Sequence, residues 1–74
     1  MMRRYFFNAS LSAEQCYGYY RGEIKYVVVT ADNGERIQLQ FKHFQRYVDT
    51  NGLRGRFRLT LADNASFVAL EKIN

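Results

Sequence analysis

Few residues in this 74-residue chain could do covalent chemistry. Nucleophilic catalysis needs a thiol or hydroxyl activated by a neighbouring base, and the chain has one cysteine, Cys16, and one histidine, His43. Cys16 falls on the apolar side of a stretch with helical spacing, the setting of a buried and inert thiol. His43, beside Lys42 and close to Arg46, reads as a solvated or anion-facing side chain. Asp32 and Asp63 lie in turn sequences, where such side chains cap backbone groups, and no two carboxylates are spaced as an acid–base couple. One histidine, one cysteine and scattered acids offer no metal-ligand spacing. Gly52 and Gly55 lead into a strand rather than cradling a phosphate at a helix start. The expectation is no catalytic residue, no metal and no cofactor.

Binding chemistry has more support. The stretch GLRGRFRLTL (52–61) alternates Arg54, Arg56 and Arg58 with Phe57, Leu59 and Leu61. In a strand, residues two apart share a face, so three guanidinium groups would stand about 7 Å apart along one side. That is close to the spacing of phosphates along a nucleic-acid strand. Arg36, Gln38 and Gln40, if their strand lies alongside, would extend the surface, Arg46 adds charge, and Tyr19, Tyr47 or the N-terminal aromatics could stack on unpaired bases. The same row is also what a solvated strand face looks like, where exposed arginine discourages edge-to-edge aggregation.

The net charge of +4 is local: residues 36–62 hold six basic side chains and only Asp49 as an acid, so an anionic partner would meet the middle of the chain. Twelve aromatic rings, six Tyr and six Phe, let so short a chain build a core. They also raise the expectation of an uncovered aromatic patch, the mark of a protein partner or of self-association. A single thiol excludes an internal disulfide and fits a reducing compartment. The N-terminal MMRRYFFNAS has neither a long apolar run nor a small-residue cleavage site, and no stretch approaches the length needed to span a bilayer. The chain is expected in the cytoplasm and off the membrane.

These residues must be positioned by short elements. Aromatic-rich 3–10 predicts a strand. Ser12 with Gln15 three residues on is a capping box, and Ala13, Cys16, Tyr17 and Tyr20 at helical spacing predict a helix over 13–20 that stops near Gly22. Val27, Val28 and Val29 predict a strand covered on both faces. The DNG turn at 32–34 joins it to the alternating ERIQLQF, making a hairpin over 24–41. Phe41, Phe44 and Val48 change the period to that of a helical turn near 42–48. The arginine strand and a last strand, SFVALEKI, follow. The fold class is therefore α+β, a small mainly antiparallel sheet of about five strands in β-α-β-β-α-β-β order, one domain over residues 1–74. The predicted core is Phe7, Tyr17, Val28, Ile37, Leu39, Phe41, Phe44, Phe57, Leu59 and Leu61.

The segments YYRG (19–22), VVV (27–29), ADNGERIQ (31–38) and GRFRLTLADNASFVALEKI (55–73) resemble a family of short bacterial proteins known as a domain of unknown function. The resemblance spans nearly the whole chain and implies a bacterial cytoplasmic protein, with no catalytic or ligand residue carried over. Arg54 and Arg58 followed by Asn64-Ala65-Ser66 resemble the cyclic-dinucleotide motif of PilZ domains. However, Ala69 replaces that motif's glycine and the spacing is short. RGRFRLTL begins like the aromatic octapeptide of RRM domains, with arginines at the stacking positions. The reading is a non-enzymatic binding or adaptor domain acting through protein–protein contacts. The alternative is RNA or single-stranded DNA binding, on Arg54, Arg56 and Arg58 with Arg36, Gln38 and Arg46.

Overall fold

A computed structural model describes all 74 residues, Met1–Asn74. The elements are β1 (Arg3–Ser12), α1 (Ala13–Tyr20), β2 (Tyr26–Thr30), β3 (Arg36–Gln40), two successive 3-10 turns (Phe41–His43 and Gln45–Tyr47), β4 (Gly52–Leu61) and β5 (Phe67–Lys72). The order is the expected one, and the fold is α+β with antiparallel pairing throughout.

The five strands do not form one sheet. β1, β4 and β5 make a three-stranded sheet in the order β1-β4-β5, and β2 with β3 makes a separate two-stranded one. A backbone bond bridges them, the Asp32 N–H donating to the Phe6 carbonyl at 2.8 Å. The arginine strand therefore pairs with β1 and β5, not with the ERIQLQF strand as the extended binding surface would require.

Alternation sorts β4 as the sequence implies. Phe57, Leu59 and Leu61 are buried while Arg54 is exposed and Arg56 and Arg58 are half-buried. The inward residues close on a cluster of rings. Phe7 stacks on Phe57 with centroids 5.7 Å apart, and Phe44 meets Phe57 edge-on at 5.5 Å. Each such pair adds about 0.5–1.5 kcal/mol beyond simple burial. Leu39, Phe41, Val27 and Val29 complete the core from the hairpin side, with Ile37 packed half-buried against it.

Two expected core residues are on the surface. Tyr17 is 59% exposed, because α1 turns a stripe of Ala13, Cys16 and Tyr19 inward instead, with Gly18 buried beside them. Cys16 is buried and Tyr19 lies flat on Phe41, centroids 4.4 Å apart. Val28 is 51% exposed, since it stands opposite Gln38 on the outer face of a two-stranded sheet that nothing covers. The valine run therefore belongs to a strand with one covered face.

The helix start is as read. Ser12 Oγ accepts from the Gln15 N–H at 3.1 Å, and Gln15 Oε1 accepts from the Ser12 N–H at 2.8 Å.

Candidate binding surface

The predicted cationic residues divide between two surfaces. Arg54, Arg56 and Arg58 lie on β4 opposite Ser10, Asn8 and Phe6 of β1. Two of the three are already engaged. The Arg56 guanidinium pairs with the Asp32 carboxylate, which also holds its pKa above the ordinary arginine value. Arg58 donates from Nε and Nη2 to Glu71 Oε1 of β5 at 3.1 and 2.9 Å. Arg54 makes no salt bridge. Asp32 was expected to cap its turn, but Asn33 does so, its side chain accepting from the Glu35 N–H. Asn64 likewise caps the turn in which Asp63 pairs with the N-terminal amine.

Arg36 and Gln38 lie elsewhere, on the rim of a groove of about 630 Å³. It runs along β3, with the start of β1, the end of β4 and the first residue of β5 as its other wall. Arg3, Arg36 and Lys42 supply its positive charge, and Glu35 is the acid on its lining. None of the three cations makes a salt bridge to a carboxylate, although Arg3 donates to the Asp63 backbone carbonyl at 2.7 Å. A second groove of about 370 Å³ continues it on the side of α1, and both share Tyr26, Gln40 and Lys42. Arg46 lines a neighbouring groove beside β5, together with Lys42, His43 and Phe67.

His43 closes one end of the main groove by stacking flat on Phe67, ring centroids 3.6 Å apart. Burial and then the charge of Lys42 lower its pKa. Tyr19 and Tyr47 are not open platforms. Tyr19 is stacked on Phe41, and Tyr47 meets Phe57 edge-on while its hydroxyl donates to the Leu70 carbonyl at 2.8 Å. The exposed aromatic rings beside the grooves are Tyr26 and Phe67, 47% and 39% accessible, with Ile24 at 48%. Sequence reasoning had no means of placing Arg3, Tyr26, Lys42 and Phe67 in one groove, because they come from distant parts of the chain.

Burial raises the pKa of Cys16, with a smaller push from Asp49, so its thiol stays protonated near neutral pH. No three His, Cys, Asp or Glu side chains come together as a metal-binding group. No helix is long and apolar enough to cross a membrane.

The family model described as Protein of unknown function (DUF2835) matches residues 3–73. The chain belongs to that family. The match runs from the start of β1 to just beyond β5, so both sheets and every groove residue named above lie within the DUF2835 domain. No curated protein and no solved structure matches this DUF2835 chain.

Proposed function

We propose that the chain is a small, non-enzymatic binding domain of the bacterial cytoplasm that acts through protein–protein contacts at the two joined grooves. One observation carries this reading. Half-exposed apolar side chains, Ile24, Tyr26 and Phe67, line a concave surface together with the amides Gln38 and Gln40, cations without a salt bridge and the single acid Glu35. An aromatic centre with a polar rim is the anatomy of a protein interface. The buried, protonated Cys16 supports a role without nucleophilic catalysis.

Nucleic-acid binding on Arg54, Arg56 and Arg58 has weaker support. A phosphate would have to displace Asp32 from Arg56 and Glu71 from Arg58, and Arg36 stands on a different sheet.

A photo-crosslinking side chain at Tyr26, compared with one at Ser10 on the other surface, tests the proposal in living cells. The expected result is a discrete protein adduct at position 26 that survives nuclease treatment. Adducts that nuclease removes, or adducts at position 10 alone, would overturn it.

A further inference from the structure

The groove runs along a strand edge, and the pairing pattern shows which backbone groups face it. In an antiparallel pair, residues whose N–H and C=O bond to the partner alternate with residues whose groups point away. The Phe41 N–H donates to the Lys25 carbonyl at 2.9 Å, and the Ala31 N–H to the Glu35 carbonyl at 2.8 Å. In the same register, Leu39 pairs with Val27 and Ile37 with Val29. The odd-numbered residues of β3 are thus turned to β2. Arg36, Gln38 and Gln40 turn their N–H and C=O groups the other way, into the groove they line.

β3 ends the order of its sheet, so no strand pairs with this side of it. Among the other terminal strands bordering the grooves, β5 has its Leu70 carbonyl occupied by the Tyr47 hydroxyl, and β1 has its Phe6 carbonyl occupied by the Asp32 N–H. Open edges of this kind are templates for an added strand, and natural proteins blunt them when they are not used. Here no strand pairs with the edge, and its residues line a groove.

We infer that β3 binds its partner by strand addition, and that the partner segment is an extended, acidic stretch of a protein. This rests on the protein-binding reading above and names the chemistry of its ligand. Backbone bonds to Arg36, Gln38 and Gln40 would supply the pairing, and alternate side chains of the segment would meet Tyr26 and the groove walls. Charge selects the sign. Arg3, Arg36 and Lys42 border the edge against the single acid Glu35, so an acidic segment is attracted and a basic one repelled. A second copy of this chain fits poorly, because it would bring the same cations to face one another.

The probes are capped eight-residue peptides alternating Glu with Val or Lys with Val, and an oligothymidylate. The readout is amide hydrogen exchange on the full chain. The Glu-Val peptide should slow exchange at Arg36, Gln38 and Gln40 at least about tenfold, the scale of one or two hydrogen bonds. The Lys-Val peptide should leave these amides unprotected. Two variants sharpen the test. Gln38→Pro removes an N–H that points away from β2, a position where an edge strand tolerates proline, and should weaken the Glu-Val peptide about tenfold. The pair Arg36→Glu and Lys42→Glu should reverse the preference between the two peptides.

The inference is overturned if the Glu-Val peptide at millimolar concentration protects none of the three amides, or if the Lys-Val peptide protects them equally. Oligothymidylate binding in the groove without protecting them would assign the cations to nucleic acid instead. Protection that appears with protein concentration alone, alongside dimers in sedimentation, would make a second copy the occupant. A protein adduct at Tyr26 with unprotected β3 amides would sink strand addition and leave the proposed function standing, whereas loss of that adduct would remove the function itself.

Discussion

Gly52 shows how far a single residue can be constrained. Its φ of +107° lies where side chains other than glycine are strained, and an added Cβ would come within 2.2 Å of the Leu11 carbonyl oxygen. The backbones of β1 and β4 meet at this point, so neither can yield. Gly52→Ala is therefore expected to destabilise the domain by at least about 2 kcal/mol, measured by denaturant unfolding. His43 carries a pH effect whose sign follows from its lowered pKa. In the unfolded chain the His43 imidazole binds a proton at about pH 6.5, and in the folded one only at lower pH. Stability is then full above that value and falls as pH drops below it. His43→Phe keeps a ring against Phe67 and should flatten the stability profile below pH 6.5. For the arginines, partial exposure limits the outcome. Arg58 and Glu71 side chains are 37% and 49% accessible, so Arg58→Gln should cost no more than about 1 kcal/mol in the same unfolding experiment. The arginine alternation was legible in GLRGRFRLTL, but its pairing was not, because Asp32 reaches the row from the turn between β2 and β3 and Glu71 from β5.

At the level of elements, local signals gave helix, hairpin and turns where the physics is local. Ser12 and Gln15 cap α1 because a capping box needs only four consecutive residues. The direction in which α1 faces is not local. Both Tyr17 and Tyr19 could have been the inward ring, and the flat stack of Tyr19 on Phe41 decided for Tyr19. Gly18 lies in the middle of this helix, and a Cβ there would find its nearest neighbour, Ile24 Cδ1, at an ordinary 3.5 Å. Gly18→Ala is expected to stabilise the domain by about 0.5–1 kcal/mol, seen as a higher unfolding midpoint, because glycine is a poor helix former. The hairpin shows the reverse limit. Its turn was readable from DNG and its inward face from Ile37 and Leu39, yet whether Val28 is covered depended on a second layer that the chain does not supply.

At the scale of the whole molecule, the two sheets differ in how firmly they are held. β1 and β4 pair over ten residues from Arg3 with Leu61 to Ser12 with Gly52, whereas the hairpin pairs over five and bridges to β1 through the bond from Asp32 to Phe6. Local opening follows such differences. Amides of Val27, Val29, Ile37 and Leu39 should exchange faster than those of Phe7, Phe57 and Leu59, and a hydrogen-exchange map of the free chain would check this. The sequence by itself determined the element order, the inward set on β4 and the inward face of β3, since these follow from side-chain period and turn chemistry along consecutive residues. Only the tertiary structure decided that the sheet is divided, that Arg56 and Arg58 are paired, and that Arg36 and Gln38 share a groove with Arg3, Tyr26 and Phe67. Those outcomes depend on which strands become neighbours. Period and turn chemistry fix what each strand presents on its two faces, but neighbours are chosen by how the Phe7, Phe44 and Phe57 rings pack, and that packing joins residues far apart in the chain.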